Sequence, residues 1–347
     1  MRETGGIVRK LIGIMCAVVL GCSGQITGGG GGPDEEPAEV TLEIVSPANG
    51  ATFARESLGG FGELVAALNL SVDATGSIAS FRLENGSGED LGALSIDDPN
   101  KLVELDTDGS HTLTVIALDA EGAPLASASI DVVVSAPQAS SCQEWLDLYN
   151  LTYEVGPVRQ GVSDPVTVTT PINGIVHRYS GSDTPRDTFF MDCSLALSLA
   201  RAASHLRRRD VIEFVDIGVY NYRCIGGGTP PDCPNGISQH AYAKGIDIAG
   251  FTTIDGQYYS VNDDWVIDPD GESTCSTTTD NDKDTFLHDL ICDLKSDRVW
   301  NIVLTPNYNT AHRNHFHVDL TTGSDYINFE INGRQPEAPA GLHKHAH

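Results

Sequence analysis

The stretch His312-Arg-Asn-His-Phe-His317 places three histidines within six residues. His315 and His317 are two positions apart, so on a β-strand both side chains point to one face, whereas Phe316 points to the other face and can be buried. Clustered imidazoles are costly in a structural core, but they suit a metal site because neutral imidazole is a good zinc ligand. The stretch therefore predicts a strand that carries part of a metal site.

A second stretch, Ser238-Gln-His-Ala-Tyr-Ala-Lys-Gly-Ile-Asp247, supplies another histidine and a carboxylate. Ile246 and Ile248 predict a strand with its core face on their side, which leaves Asp247 on the opposite face. A carboxylate there needs a partner, because an unpaired buried charge is very costly. His240, Asp247 and one later histidine would give three protein ligands with a fourth position open to water, as in catalytic zinc sites.

These stretches resemble motifs of a known superfamily. Residues 238–247 are similar to the Ser-x-His-x-x-Gly-x-Ala-x-Asp motif of the zinc D-alanyl-D-alanine carboxypeptidases, and residues 312–317 are similar to the His-x-x-His-x-His stretch of the murein endopeptidase branch. Together with Tyr222-Arg223-Cys224 and Gly245–Phe251, they resemble the extensin-like C-terminal domain, a bacterial family within that superfamily. The resemblance covers about residues 142–325.

The resemblance implies a role for each matching residue. His240, Asp247 and His317 would hold one zinc ion per chain. His315 would be the catalytic histidine beside the metal, and His312 would be a second active-site histidine. The reaction implied is attack of zinc-activated water on an amide carbonyl, with zinc as Lewis acid and His315 as acid and base.

Substrate binding is implied for two further residues, and the chain departs from the motif at three positions. Arg223 would hold substrate or transition-state charge, and Ser238 would orient the ligand loop. The Gly of the motif is Ala243 and its Ala is Gly245, which keeps the spacing of the ligands. The Glu of the carboxypeptidases is Asn314, and Asn cannot act as a general base, so a histidine must do this work.

The expected function is zinc-dependent hydrolysis of peptide bonds in peptidoglycan stem peptides or cross-links, as a carboxypeptidase or an endopeptidase. One alternative is a zinc-containing module that binds cell wall without cutting it, which Asn314 favours. Another alternative is an envelope structural or adhesion lipoprotein in which the N-terminal part of the chain does the work. The sequence does not choose between carboxypeptidase and endopeptidase.

The N-terminus has the pattern of an export signal. Arg9-Lys10 precede an apolar stretch, Leu11–Leu20, that is too short for a stable membrane span. Small residues before Cys22 resemble a lipoprotein processing site, so residues 1–21 are expected to be a signal peptide and Cys22 to carry the lipid. Ser23 favours the outer membrane. The protein is thus expected to face the periplasm or the cell surface on a lipid anchor, or to be secreted if Cys22 is not lipidated.

Changes in composition and in hydrophobic pattern divide the chain into segments. Residues 22–39 are Gly-rich and predict a flexible linker. Residues 40–136 contain period-two alternation broken by turn residues, which predicts an all-β immunoglobulin-like sandwich that acts as a spacer. Residues 142–325 mix helix and strand patterns, which predicts an α+β domain with a mostly antiparallel sheet carrying the zinc site. Residues 326–347 are expected to be a disordered tail.

Cysteine usage and charge narrow the compartment and the partners. Six cysteines fall in the C-terminal half, which suggests disulfides in an exported protein. Local pairing is preferred among fifteen connectivities. The net charge of −27 argues against nucleic acid and anionic membrane surfaces as partners; peptidoglycan is the expected partner, and the membrane contact is limited to the lipid anchor. The preferred pairs are Cys142–Cys193, Cys224–Cys233 and Cys275–Cys292.

Overall fold

The computed structural model describes residues 39–269 and 272–328, which are mostly β-sheet with few helices. The predictions of a signal peptide, of lipid at Cys22 and of a linker up to residue 38 lie outside the described residues. In the described part, no helix is long and apolar enough to cross a membrane.

Residues 41–135 form nine strands in two sheets. The strands are β1 (Thr41–Ser46), β2 (Thr52–Ala54), β3 (Ser57–Leu58), β4 (Leu64–Thr75), β5 (Ser80–Asn85), β6 (Asp90–Leu94), β7 (Asn100–Leu105), β8 (Gly109–Leu118) and β9 (Pro124–Ser135). One sheet has the order β1-β4-β3, with β7 also paired to β4, and the other has the order β2-β9-β8-β5-β6.

The alternation in the sequence is what builds this part of the fold. In β4, Leu68 and Leu70 are buried while Asn69 between them is exposed, as period two requires. Side chains from both sheets, such as Leu70 of β4 and Leu113 of β8, are fully buried in one shared core. Leu64, at the start of β4, belongs instead to the core of the C-terminal part.

Residues 142–328 contain four helices and ten strands in the described part of the chain. The helices are α1 (Cys142–Leu148), α2 (Cys193–Arg207), α3 (Val261–Asp264) and α4 (Asp282–Ser296). The strands are β10 (Tyr153–Val155), β11 (Pro165–Thr169), β12 (Val176–Tyr179), β13 (Thr188–Asp192), β14 (Val211–Gly218), β15 (Gly245–Thr253), β16 (Tyr258–Ser260), β17 (Ile302–Leu304), β18 (Phe316–Asp319) and β19 (Tyr326–Ile327).

The large sheet of this part is mixed: four of its six strand pairs are antiparallel, as expected, and two are parallel, which the sequence did not predict. Its order is β12-β14-β15-β18-β17-β19, with β16 paired to β15, and the pairs β12–β14 and β17–β19 are parallel. Helix α2 lies between β12 and β14 in the chain, and a crossover of this kind returns the chain in the same direction. The alternation of side chains within a strand does not reveal this direction. Strands β10-β11-β13 form a separate small sheet.

The first residues of the expected tail belong to the folded part of the chain. Tyr326–Ile327 form β19, and Asn328 is buried and donates hydrogen bonds to Thr274 and Thr305. The boundary at residue 326 was therefore wrong, because a short strand at the end of the sheet carries too weak a pattern to be recognised. Residues 329–347 lie outside the described residues.

The three preferred disulfides are confirmed. Their Cα–Cα distances are 6.1 Å for Cys142–Cys193, 5.2 Å for Cys224–Cys233 and 5.6 Å for Cys275–Cys292. The first joins α1 to the start of α2, and the last joins a loop to α4. These bonds restrict the unfolded chain and so stabilise a domain whose loops are long.

The register of two neighbouring strands creates the position for a site. Strands β15 and β18 pair antiparallel, with Asp247 directly opposite His317 and Ile246 opposite Val318. The isoleucine and the valine are fully buried in the core, so the aspartate and the histidine lie together on the other face.

Candidate metal centre

Three side chains from three elements meet at one point. His240 lies in a 3-10 turn, Gln239–Tyr242, and Asp247 and His317 lie on β15 and β18. His240 Nε2 is 3.2 Å from Asp247 Oδ1 and 3.2 Å from His317 Nδ1, and His317 Nδ1 is 2.9 Å from Asp247 Oδ1. The structure thus brings together the three residues that the sequence predicts as ligands.

Outward hydrogen bonds decide which ring nitrogens carry protons. His240 Nδ1 is 2.7 Å from the carbonyl oxygen of Val219, and His317 Nε2 is 3.0 Å from Asp319 Oδ2. Both oxygens can only accept, so both outer nitrogens donate. In the neutral rings, His240 Nε2 and His317 Nδ1 therefore hold lone pairs that point at each other and at Asp247.

A cation at the centre would resolve this convergence of three lone-pair donors. Zinc bonds to histidine nitrogen and carboxylate oxygen at about 2.0–2.1 Å, so two ligands of a tetrahedron lie about 3.3 Å apart. The three separations in the structure, 2.9 to 3.2 Å, are close to this value. Outer partners such as Val219 and Asp319 are also typical of zinc-bound histidines. The donor set therefore fits zinc.

The pKa values of His317 and Asp247 in the metal-free protein also favour a positive charge between these side chains. Burial lowers the pKa of His317, but the flanking carboxylates of Asp247 and Asp319 outweigh burial and raise this pKa to about 10. Burial raises the pKa of Asp247, but His240 and His317 outweigh it and hold this pKa well below its usual range. A proton and a metal cation would thus compete for the same ring nitrogen, and metal binding would release the proton.

His315 and His312 lie beside the three ligands. His315 Nε2 is 3.6 Å from Asp247 Oδ1, and the ring centroids of His312 and His315 are 5.2 Å apart. Both histidines are buried, at 3% exposure for His312 and 5% for His315. The structure therefore groups all the histidines that the sequence assigned to the site.

Two asparagines hold these histidines. His315 Nδ1 is 2.8 Å from Asn314 Oδ1, and His312 Nδ1 is 2.8 Å from Asn309 Oδ1. Asn309 Oδ1 also accepts a hydrogen bond from the Ala311 amide at 2.9 Å, which identifies this atom as the amide oxygen. His312 Nδ1 therefore carries a proton, and the proton-accepting nitrogen of a neutral His312 is Nε2.

Ser238 and Arg223 lie on neighbouring segments of the ligand loop. Ser238 is buried, begins the 3-10 turn and accepts a hydrogen bond from the His240 amide at 3.3 Å. Its amide donates to the Arg223 carbonyl at 3.1 Å. Among the described residues, the Arg223 guanidinium is in no ion pair, and it is half-buried. Ser238 thus shapes the ligand turn, while substrate binding by either residue stays a prediction.

The exchange of Gly and Ala relative to the motif has opposite local effects at its two positions. Ala243 has φ +52 at the end of the 3-10 turn, a left-handed conformation that favours glycine, so this alanine is held in mild strain. At Gly245, an added Cβ would lie 3.3 Å from Cε1 of His317 and 3.3 Å from Cβ of Gln239. A glycine there leaves the His317 ring more room, which is the local consequence of the exchange.

Sequence reasoning missed three partners of the site. Asp319 was detectable, because period two places it on the same face of β18 as His317. Asn309 was detectable only as a helix-capping residue. The Val219 carbonyl had no signal, since a backbone group contributes to a site independently of its side chain.

Gly161 is where a neighbouring loop approaches the ligand turn most closely. It has φ +85, and an added Cβ would lie 2.4 Å from the carbonyl oxygen of Ala241. Gly161→Ala should therefore lower the free energy of unfolding by about 2–4 kcal/mol, through overpacking and backbone strain. Gly122→Ala is the matched control, because Gly122 has φ +82 and open space around it. Equal losses in chemical denaturation of the two variants would contradict the close packing at Gly161.

Solved structures give only weak similarity. Fibronectin(III)-like modules of Clostridium thermocellum CbhA match with 17% identity over 28% of this chain and 100% of that chain, at a TM-score of 0.22. A modular endo-beta-1,4-mannanase from Cellulomonas fimi matches with 22% identity over 29% of this chain and 19% of that chain, at 0.21. Carbohydrate-binding modules from the beta-sandwich super family match with 14% identity over 45% of this chain and 53% of that chain, at 0.23.

TM-scores this low support no inference about fold or function, and the chain spans less than two thirds of the last two structures. None of the curated proteins matches the chain. The family comparison is more informative, because it covers the whole candidate site. Residues 184–328 match the family described as the extensin-like protein C-terminus, as the sequence motifs led us to expect.

Proposed function

We propose that the chain is a zinc-dependent hydrolase of peptide bonds in peptidoglycan. The observation that carries the proposal is the convergence of His240 Nε2, Asp247 Oδ1 and His317 Nδ1 within 3.2 Å of one another, with both outer histidine nitrogens already donating. Three protein ligands leave one tetrahedral position for water or substrate, which is the composition of a catalytic rather than a structural zinc site.

When bound, zinc would supply a Lewis acid that polarises a peptide carbonyl and activates water. The protein would supply the rest of the chemistry. Val219 and Asp319 hold the two ligand rings in the tautomer that zinc requires, and Ser238 fixes the turn that carries His240. The site is thereby organised by contacts that exist without substrate.

His315 is the residue we assign to proton transfer. It is buried, and its Nε2 lies 3.6 Å from Asp247 Oδ1. It thus lies beside the ligand triangle, the group formed by His240 Nε2, Asp247 Oδ1 and His317 Nδ1. Its Nδ1 is engaged by Asn314, so Nε2 would be the nitrogen that exchanges a proton with the substrate. His312, fixed by Asn309, stands next to it as a second group that can take up or donate a proton.

The substrate class follows from the resemblance to the D-alanyl-D-alanine carboxypeptidase and murein endopeptidase superfamily. Three disulfides are consistent with a protein that works outside the cytoplasm, where peptidoglycan lies. In this proposal the chain is an outer-membrane lipoprotein attached through Cys22, and the N-terminal sandwich is an immunoglobulin-like spacer between the anchor and the enzyme.

A second candidate function is a zinc-containing module that binds cell wall without cutting it. The observation that favours it is Asn314, which stands where carboxypeptidases have a catalytic Glu and whose side chain is occupied by His315. An amide cannot act as a general base. The two candidates share the metal site and differ only in whether His315 can replace the missing carboxylate.

Digestion of purified sacculi separates the two candidates. Wild-type protein with zinc should release soluble muropeptides, and His240→Ala should release none. Asn85→Ala, on a sandwich strand, is the control for substitution itself. Sacculi that bind the wild-type protein but stay intact would overturn the hydrolase and favour the binding module.

Asp319 gives a prediction for the metal itself. Asp319→Asn removes the carboxylate charge from His317 Nε2 and keeps the shape of the side chain. Zinc affinity, measured by competition with a chelator, should fall about 10- to 100-fold, as for other outer partners of zinc ligands. The control is Asp73→Asn, at an exposed carboxylate on β4. If the two variants bind zinc equally well, His317 does not bind it as proposed.

A further inference from the structure

An arginine that the sequence did not single out lies against two aromatic rings near the metal centre. The guanidinium carbon of Arg159 is 4.2 Å from the ring centroid of Phe190 and 5.3 Å from that of Tyr220. The two rings meet edge to face, with centroids 5.6 Å apart. Cation–π contacts of this kind hold a guanidinium in one orientation.

This cluster is connected directly to the ligand turn. The Tyr220 hydroxyl donates to the Gln160 carbonyl at 3.0 Å, and Tyr220 follows Val219, whose carbonyl accepts from His240. Two residues after Arg159, Gly161 packs against the Ala241 carbonyl, next to His240. The loop that carries Arg159 therefore borders the candidate metal centre.

The charge of Arg159 is not balanced by the protein. The chain has 48 Asp and Glu against 21 Lys and Arg, so acidic residues outnumber basic residues more than two to one. Arg159 is nevertheless exposed and, within residues 39–269 and 272–328, is in no ion pair, in contrast to Arg178 and Arg186. Its charge is available to a ligand.

The geometry selects the chemistry of that ligand. The guanidinium carbon lies over both rings, the side chain is exposed, and the N–H donors of a guanidinium lie in its plane. Donors in this fork match the two oxygens of a carboxylate. We propose that Arg159, held by Phe190 and Tyr220, is a carboxylate-binding subsite beside the metal centre. It rests on the proposed function in that the carboxylate belongs to a peptidoglycan peptide, either at the C-terminus or on a side chain.

Equilibrium binding tests the subsite without turnover. The experiment uses full-length protein with zinc that carries His315→Gln, so that hydrolysis of bound peptide is strongly slowed. It is titrated with three peptides: diacetyl-Lys-D-Ala-D-Ala, the C-terminal amide of that peptide, and an amidated peptide whose only carboxylate is on a D-glutamate residue. Adding Arg159→Gln should weaken binding of the preferred carboxylate peptide about 10-fold or more and leave the amide unchanged. Arg82→Gln, at an exposed arginine on β5, is the matched control.

The arms identify the source of the carboxylate. If Arg159→Gln weakens binding only of the peptide with a free C-terminus, Arg159 binds the terminal carboxylate. If it weakens binding only of the D-glutamate peptide, Arg159 binds the side-chain carboxylate. Three results would overturn the subsite. They are equal affinity with and without Arg159→Gln, equal loss of affinity for the carboxylate and amide peptides, and no binding of either carboxylate peptide. If sacculi are not digested but carboxylate binding depends on Arg159, the hydrolase fails and the subsite stands.

Discussion

His315→Gln should leave zinc bound and reduce hydrolysis of muropeptides about 10²- to 10⁴-fold, the usual contribution of a positioned acid or base. The reason is geometric. His315 lies beside the ligand triangle, with Nε2 at 3.6 Å from Asp247 Oδ1, whereas the ligand atoms themselves lie within 3.2 Å of one another. Glutamine keeps polarity and approximate size but cannot exchange a proton near neutral pH.

Zinc content and turnover must be measured on the same preparation. His111→Gln, on β8 of the sandwich, is the matched control and should change neither quantity. Loss of zinc from His315→Gln would make His315 a ligand. Full retention of activity would remove it from proton transfer and leave His312 as the remaining candidate.

His177→Leu should make the protein much less sensitive to acid. His177 is 2% exposed between Phe189 and Phe214, and its Nδ1 has no hydrogen-bond partner among the described residues. Burial, together with the nearby Arg186 charge, lowers its pKa from 6.5 to about 3. A charged imidazole is therefore excluded from this core position in the folded protein.

The sign follows from the lowered pKa. Below pH 6.5 the unfolded chain binds a proton at this residue, whereas the folded protein does not until pH approaches about 3. Wild-type protein should therefore lose stability as pH falls through this window, by about 4 kcal/mol at pH 3 from this residue alone. Chemical denaturation at several pH values gives the free energy of unfolding as a function of pH. This free energy should fall less steeply towards low pH for His177→Leu than for wild type or His111→Leu. Parallel profiles would contradict the burial of a neutral imidazole.

Local rules predicted that His240, Asp247 and a later histidine share one site, whereas the choice of His317 as that histidine came from the family resemblance. Period two placed His315 and His317 on one side of a strand, and the apolar neighbours of Asp247 fixed which way it points. Neither stretch alone reveals the strand register that sets Asp247 opposite His317. A shared site for the two residues requires that their strands lie side by side. The preference for pairing cysteines that follow one another in the sequence succeeded for all three bonds, whose sequence separations are 51, 9 and 17 residues.

What the sequence did not reveal depends on long-range geometry. The parallel pairing of β12 and β14 arises from a crossover through α2, which leaves no mark on the alternation of either strand. The Val219 carbonyl is a backbone group, which the residue type does not reveal. Arg159 contacts Phe190 and Tyr220, which are distant from it in the chain. Contacts of this kind require the fold before they can be recognised.

The most direct test is the zinc content of the purified full-length protein, wild type beside His317→Ala, after zinc is supplied and excess is removed. His240, Asp247 and His317 should hold roughly one zinc per chain in the wild type, and the variant should lose it while its far-ultraviolet circular dichroism stays that of a folded protein. A wild-type protein that is folded and binds no zinc would contradict the metal centre and, with it, the proposed hydrolase.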